Sequence, residues 1–302
     1  MSNSKSAKPK KAKKKSVNRE FIRVSTASRL MASFYKKHNR NLRGSSVIGC
    51  GRWKAYGYDG ERAEIEISEK GPRFYGHFKC NSAWTCASCA KARVSKTRSW
   101  IRAGLIPVMD KMGLCGSMMT LTAAHTYNGC WNESISKLHD AYKIFDKNMS
   151  KEYRKIGCIG KLNALEAPVG RNGIHGHFHI LLVHSPVDMV KFEQIASAAW
   201  SRALAQVGGE CNEHGFDLKL NATKDYLAKQ DTAHEMSSQD TKAARSKGLT
   251  LGQLLDKAAL GDTKAAAEWL RAVEALQGRA RFHILHGKTS VITWTATPGG
   301  AV

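Results

Sequence analysis

Two histidines that alternate with an aromatic residue stand at the start of an apolar run. The sequence reads His177-Phe178-His179 and continues with four aliphatic residues at 180–183. A continuous apolar stretch of this length is typical of a buried strand, in which successive side chains point to opposite faces. His177 and His179 then share one face of a sheet, while Phe178 packs into the core. Two imidazoles that project together can bind a divalent metal ion.

A hard cation such as Mg²⁺ or Mn²⁺ also requires an oxygen ligand. Glu166 ends the preceding predicted strand, and a turn rich in Gly, Pro and Asn at 168–173 separates it from His177. An antiparallel hairpin would return this carboxylate to the imidazoles. We therefore expect Glu166, His177 and His179 to bind a catalytic Mg²⁺ or Mn²⁺. His175 follows a different expectation, since Gly176 loosens the local geometry, and we predict that it contacts phosphate.

A tyrosine and a lysine at helical spacing supply a candidate nucleophile and its cation, in the sequence Tyr226-Leu227-Ala228-Lys229. A phenol titrates near pH 10, so it needs a base or a neighbouring cation to act as a nucleophile. Lys229 could stabilise the phenolate or the charge that develops on a phosphate. Such a pair alone usually only packs. Together with metal-binding histidines in a basic chain, it indicates a nuclease that attacks DNA with tyrosine.

Four of the eight cysteines form a spaced set, C-x29-C-x5-C-x2-C, made of Cys50, Cys80, Cys86 and Cys89. Because the opening residues contain no apolar signal segment, we expect a cytoplasmic location and reduced thiols. Four thiolates match the closed tetrahedral shell of structural Zn²⁺. The long first gap leaves open a chance CxxC beside two unrelated cysteines. The other four are isolated, and we expect core or surface thiols at Cys115, Cys130, Cys158 and Cys211.

The charge of the chain is strongly one-sided. The 302 residues include 48 Lys and Arg against 25 Asp and Glu, a formal net charge of +23. This surplus predicts a polyanionic partner, above all nucleic acid. An acidic membrane surface is the competing interpretation, but no stretch approaches the roughly 20 apolar residues of a spanning helix, so we expect no membrane partner. Residues 1–24 carry a dense lysine block, and we predict a disordered basic tail there.

The order of predicted elements indicates an α+β fold with a central antiparallel sheet and flanking helices. Strands are predicted at 117–122, 162–167, 177–183 and 216–220, and an amphipathic helix at 135–149. A second helix is predicted to begin at Ser185-Pro186. Residues 25–105 are predicted to form a small DNA-binding module stabilised by zinc. It ends in a basic helix whose predicted phosphate contacts are Lys91, Arg93, Lys96 and Arg98. Residues 246–302 read as a helical segment with a β-like end, at 283–285 and 291–294.

The order and spacing of these motifs resemble those of a known family, the rolling-circle replication initiators of small bacterial plasmids within the HUH endonuclease superfamily. Its three motifs have counterparts in Thr120-Leu121-Thr122 with His125, in Glu166 with residues 173–179, and in Tyr226 with Lys229. The cysteine pattern with Trp84, and Gln253-Leu254-Leu255 followed by Gly261-Asp262, are similar to one branch of the family. Gly176 and Ala87 stand where proline is expected, and Ala222 where a carboxylate is common.

The resemblance implies that residues 106–245 form an HUH nuclease core that nicks one strand of origin DNA, single-stranded or in a hairpin. Attack by Tyr226 would leave a 5′-phosphotyrosine and a free 3′ hydroxyl that primes synthesis. A host helicase and polymerase are then further partners. Asp225 is the residue that we expect to act as general base when the cycle ends.

Other interpretations remain open. His175, His177 and His179 also fit the alternation of a histidine-triad nucleotide hydrolase, whose middle histidine is the nucleophile. A non-enzymatic zinc DNA-binding protein with merely packed histidines is a second alternative. Other HUH enzymes, such as transposases and mobilisation relaxases, share the metal and the tyrosine.

Overall fold

The computed structural model describes residues 10–39, 46–60, 64–68, 71–124, 129–220 and 248–286. Its contacts divide the chain into two units, one of residues 1–92 and 252–270 and the other of residues 93–251 and 271–302. This division differs from the segments expected at 25–105, 106–245 and 246–302. The C-terminal segment is shared between the two units because one helix, at 263–276, runs across their boundary.

Nine α-helices lie in the described part of the chain. They are α1 (Lys10–Lys37), α2 (Ser46–Gly49), α3 (Ala87–Trp100), α4 (Ile106–Lys111), α5 (Trp131–Asn148), α6 (Ser150–Lys155), α7 (Val190–Gln206), α8 (Leu251–Ala259) and α9 (Thr263–Leu276). A π-helical turn, Ile101–Leu105, joins α3 to α4. Within the described residues, no helix is both long and apolar enough to span a bilayer.

Nine strands accompany these helices. They are β1 (Glu64–Ser68), β2 (Gly71–Tyr75), β3 (Cys115–Thr122), β4 (Gly160–Glu166), β5 (Val169–Gly170), β6 (Gly173–Ile174), β7 (His177–His184), β8 (Phe216–Lys219) and β9 (Phe282–His286). The predicted strands at 117–122, 162–167, 177–183, 216–220 and 283–285 are thereby confirmed in position. The β-like residues predicted at 291–294 lie outside the described residues.

The first unit contains α1, which begins at Lys10, inside the segment 1–24 for which a disordered tail was expected. Lysine and alanine favour helix, and ion pairs hold a later part of this helix. Arg19 and Arg23 reach the carboxylate of Asp256 on α8 at 2.6 and 2.7 Å. These contacts hold the Asp256 pKa below its usual range: burial opposes this direction, but hydrogen bonds from both guanidinium groups outweigh it. Residues 1–9 lie outside the described residues.

The second unit is built on a five-stranded antiparallel sheet in the order β8-β3-β7-β4-β9. The predicted α+β class, with a central antiparallel sheet and flanking helices, is confirmed. β7 is the middle strand, and its successive side chains point alternately to the two faces of the sheet. Phe178 packs against α5, with its ring 4.8 Å from the ring of Tyr142 and 5.0 Å from that of His139. Leu181 and Val183 belong to the core on the opposite face, whose members include Ile101, Leu105, Met109 and Leu162.

The helix predicted at Ser185-Pro186 begins four residues later, at Val190. Ser185 remains tied to the sheet region, since its N–H donates to the carbonyl of Ile156 at 3.2 Å. The Asp188 carboxylate then accepts the Val190 N–H at 3.0 Å. The chain therefore needs residues 185–189 to pass from the end of β7 to the start of α7.

Candidate metal centres

Strand register brings one carboxylate and two imidazoles together in the second unit. His177 of β7 lies opposite Glu166 of β4, and His179 lies two residues further on the same face. The Glu166 Oε2 atom is 2.9 Å from His177 Nε2 and 3.4 Å from His179 Nε2. One ligand atom from each residue lies within 4.8 Å of the others. The predicted trio is therefore brought together, and the two histidines share a face as expected.

Neighbouring groups fix the orientation of both rings. His177 Nδ1 lies 3.3 Å from the carbonyl of His175, and His179 Nδ1 lies 3.1 Å from the Thr120 hydroxyl. A carbonyl only accepts hydrogen bonds, so a neutral His177 ring that donates from Nδ1 to this carbonyl presents a lone pair at Nε2. That lone pair faces a carboxylate oxygen, which also only accepts. Either an extra proton or a cation must lie between the two atoms, and a bound metal ion satisfies both.

The environment of Glu166 favours its charged form. Burial alone would raise its pKa, but hydrogen bonds with His177 and His179, together with their charge, hold the pKa well below its usual range. Its second oxygen, Oε1, is buried and has no hydrogen-bond partner among the described residues. Two nitrogen donors and a carboxylate with a spare oxygen suit a divalent ion such as Mn²⁺ or Mg²⁺, and leave coordination positions open to phosphate.

The second centre consists of the four expected cysteines, all in the first unit. The Sγ atoms of Cys50 and Cys89 are 3.6 Å apart, those of Cys80 and Cys89 3.7 Å, and those of Cys50 and Cys86 3.6 Å. Sulfurs at about 2.3 Å from a tetrahedral Zn²⁺ are about 3.8 Å from one another, whereas a disulfide joins sulfurs at about 2.0 Å. The spacing therefore fits a four-thiolate metal site such as zinc.

Backbone amides and the thiols themselves prepare this centre for a cation. The Cys80 N–H lies 3.4 Å from the Cys50 sulfur. Hydrogen bonds from Cys80 and Cys86 lower the Cys89 pKa to about 2. The hydrogen bond with Cys80 lowers the Cys86 pKa, but the hydrogen bond to Cys89 and burial outweigh it and raise this pKa to about 12. One thiolate is thus stable alone while Cys86 retains its proton. A bound cation would allow all four to ionise.

The basic helix predicted to contact phosphate is α3. Lys91, Arg93 and Lys96 are exposed, and Arg98 is half-buried. At 100° per residue, Lys91 and Arg98 share one side of the helix while Arg93 and Lys96 occupy the opposite side. Lys91 also forms an ion pair with Glu20. These four cations therefore do not form one continuous stripe.

Several predicted site residues lie outside the described residues, namely Tyr226, Lys229, Asp225 and His125. The described chain before this segment ends in β8 and the following Leu220. After it, Leu249 pairs with Val169, with N···O distances of 2.7 and 2.8 Å. Val169 is three positions beyond Glu166. The described chain therefore resumes beside β5, the strand that follows Glu166.

Two contributors to the first centre were not recognised from the sequence. The Thr120 hydroxyl was read only as part of a family motif, and His175 was expected to act through its ring. The His175 carbonyl orients His177, and the two rings lie 5.3 Å apart. The register Thr120↔His179 identifies the threonine, but a sequence does not state register.

Comparisons with protein-family models, with curated proteins and with solved structures found no match for this chain.

Proposed function

We propose that this chain is a plasmid rolling-circle replication initiator of the HUH endonuclease superfamily, with the second unit as its nuclease core. The observation that carries the proposal is the convergence of Glu166, His177 and His179 at the middle of a five-stranded antiparallel sheet. Two imidazoles on one strand and a carboxylate on the next are the donor set that the motif resemblance requires. The net charge of +23 favours a nucleic acid as the substrate.

Mg²⁺ or Mn²⁺ bound to these residues would polarise the scissile phosphate and hold it for in-line attack. The protein's own part is to keep both Nε2 lone pairs and the carboxylate aimed at one point. The Thr120 hydroxyl and the His175 carbonyl do this from the other side of each ring. Such outer contacts fix ligand orientation and are worth a large part of metal affinity.

The proposed nucleophile is within reach of the centre along the chain. Lys219 of β8 pairs with Met118 of β3, which pairs with Leu181 of β7, four residues beyond His177. The distance from Lys219 to His177 combines four residues along a strand with two strand spacings across the sheet, about 16 Å in total. The seven residues from Lys219 to Tyr226 can extend over about 23 Å. The connection therefore permits the phenol to reach a phosphate held at the centre.

In the proposed reaction, the Tyr226 oxygen attacks phosphorus and the bond from phosphorus to the 3′ oxygen breaks. The phenol proton passes to solvent, the 3′ oxygen takes up a proton from solvent and leaves as a hydroxyl, and the 5′ phosphate stays on the tyrosine. Lys229 would stabilise the phenolate or the charge on the phosphate. Asp225 is the proposed base for a later attack by water or a hydroxyl. One phosphodiester replaces another, so the joining reaction is also accessible.

The test is a denaturing gel with end-labelled origin oligonucleotides and Mg²⁺ or Mn²⁺. Wild-type protein should form a DNA adduct that survives denaturation. Tyr226→Phe should abolish the adduct and retain DNA binding, with Tyr75→Phe, at a 40% exposed tyrosine of the first unit, as the matched control. His177→Ala should lose metal-dependent nicking. Its matched control is His214→Ala, which removes an exposed histidine 3.4 Å from Glu213.

The same gel separates the alternatives. A phosphohistidine at His177 would identify a histidine-triad hydrolase. DNA binding without cleavage of any origin sequence would leave the zinc-bearing DNA-binding protein. An adduct that persists in Tyr226→Phe would refute the proposed nucleophile. Binding of Zn²⁺ by the cysteines and recruitment of a host helicase and polymerase belong to the proposal as well.

A further inference from the structure

Two of the cysteines enclose a segment that alternates cationic and aromatic residues. Directly after Cys50 the chain reads Gly-Arg-Trp-Lys-Ala-Tyr-Gly-Tyr, and residues 52–58 are named the aromatic segment below. Cys80 follows residues 76–78, whose backbone pairs with this part of the chain. Neither the metal chemistry nor the tyrosine chemistry of the proposed nuclease uses this segment.

The backbone of the aromatic segment pairs with the residues that precede Cys80. The Gly51 N–H donates to the Phe78 carbonyl at 2.8 Å, and the Phe78 N–H donates to the Trp53 carbonyl at 2.9 Å. The Ala55 N–H donates to the Gly76 carbonyl at 2.9 Å. Because Cys50 and Cys80 both lie next to the Gly51–Phe78 end of this ladder, a metal ion bound by their sulfurs would hold its two chain segments together. The segment is therefore a preorganised element of the cysteine centre.

Two rings of the segment face solvent. Trp53 is 40% exposed and lies against Gly49, where an added Cβ would be 1.9 Å from the ring. Tyr56 is fully exposed beside Gly57, whose φ of +76° makes a tight turn. Tyr58 differs, since its ring covers Gly76 and its hydroxyl hydrogen-bonds Glu64. Large aromatic surfaces left in water forgo the free energy that burial would supply.

Two cations flank Trp53 in the sequence, and Tyr56 follows two positions after Lys54. The Arg52 guanidinium donates to the Ser28 hydroxyl at 3.3 Å, and the Lys54 ammonium lies 5.9 Å from the centre of the Tyr58 ring. Arg52 and Lys54 are exposed, and the Lys54 ammonium lies 3.3 Å from the Asp59 carbonyl. The sequence of the first unit, residues 1–92 and 252–270, contains 23 Lys and Arg against 9 Asp and Glu. The carboxylates of Asp59 and Glu64 balance these two cations, so the cationic surplus belongs to the unit as a whole. The unit that carries the rings is therefore complementary to a polyanion.

We propose that the aromatic segment binds single-stranded DNA, with bases stacking on Trp53 and Tyr56 and phosphates near Arg52 and Lys54. Rings with one open face accept any unpaired base, whereas bases in a duplex are already stacked on one another. The choice of DNA rests on the proposed function. The proposed mode of binding rests on the two exposed rings, on the packing of Trp53 against Gly49, and on the cations adjacent to Trp53 in the sequence.

The test measures binding of fluorescein-labelled dT20 by anisotropy, with zinc-loaded protein and no Mg²⁺ or Mn²⁺, so that cleavage does not contribute. Trp53→Ala and Tyr56→Ala should each weaken binding about tenfold, within the range for loss of one stacked base. Tyr56→Phe keeps the ring and should bind as wild type. Leu260→Ala, which removes an 89% exposed side chain elsewhere in the unit, should also leave the affinity unchanged. Lys54→Ala should reduce the salt slope by about 0.7.

Duplex DNA of the same length supplies the second arm, where Trp53→Ala and Tyr56→Ala should have little effect. Unchanged dT20 affinity in both alanine variants, with wild-type zinc content and circular dichroism, would overturn the proposal. An equal loss for duplex and single strand would do the same. Weakened dT20 binding in a protein that cannot form the Tyr226 adduct would support the stacking surface and refute only the nuclease. If the protein forms the Tyr226 adduct but Trp53→Ala and Tyr56→Ala both bind dT20 normally, the nuclease would be supported and the stacking surface refuted.

Discussion

Replacing Thr120 by valine tests whether the hydrogen bond behind His179 matters for metal binding. Thr120 Oγ1 lies 3.1 Å from His179 Nδ1, and valine keeps the β-branched shape while removing the hydroxyl. The His179 ring then loses the contact that fixes its rotation. Loss of such an outer contact typically weakens metal affinity 10- to 100-fold, or about 1.4 to 2.7 kcal/mol. The free energy of unfolding without metal should change by less than about 1 kcal/mol, because valine suits a strand.

The assay is a titration of metal-free protein with Mn²⁺, followed by electron paramagnetic resonance of the free ion or by calorimetry. Thr120→Ser keeps a hydroxyl at the same position and is the matched control, with affinity within about threefold of wild type expected. Wild-type affinity in Thr120→Val would refute the reasoning that this contact orients the ligand. An equal loss in Thr120→Ser would assign the effect to packing.

Three further predictions concern stability and the cysteine centre. Zn²⁺ should copurify with the protein at about one equivalent, as plasma mass spectrometry would show. Cys86→Ser should lower both the zinc content and the melting temperature. An unchanged zinc content in this variant would contradict the proposed zinc centre. Burial lowers the His139 pKa to about 4, so the unfolded chain binds this proton more tightly. Stability should fall as pH drops from about 6.5 to 4, by about 2 kcal/mol after screening, and urea melts of His139→Gln should lack this component. Gly176→Ala should lower the free energy of unfolding by about 1–3 kcal/mol in the same urea melts. The reason is that a Cβ at this position would lie 2.7 Å from Ile135 and 2.8 Å from Leu138. An unchanged midpoint would show that these two side chains can shift without cost.

The contact of Gly176 with α5 also explains a departure from the family resemblance. Proline is expected at this position, but the side chains of Ile135 and Leu138 fill the space that any Cβ would occupy. A larger residue between His175 and His177 therefore requires the ends of these two side chains to shift. A motif comparison alone cannot supply this reason.

Patterns of apolar residues predicted the parts of the fold that bury a face. The alternation at 177–183 predicted β7 and placed His177 and His179 on one face, because side chains in a strand alternate. Glu166 was predicted because a hairpin of known turn composition limits where its carboxylate can lie. The cysteine spacing predicted a set of thiols that the structure brings together.

Long-range contacts account for what the sequence did not predict. The early start of α1 depends in part on Arg19 and Arg23 meeting Asp256, more than 230 positions away. The Thr120 contact depends on the pairing of β3 with β7. The start of α7 depends on how the chain leaves the sheet, which a local Ser-Pro signal does not contain.

The central claim is tested most directly by identifying the residue that becomes attached to DNA. Full-length protein would be incubated with origin DNA and Mn²⁺, digested, and its nucleotide-bearing peptide sequenced by mass spectrometry. We predict a single 5′-phosphotyrosine at Tyr226 that requires both Mn²⁺ and His177. Attachment at another residue, or attachment that persists in His177→Ala, would contradict the account.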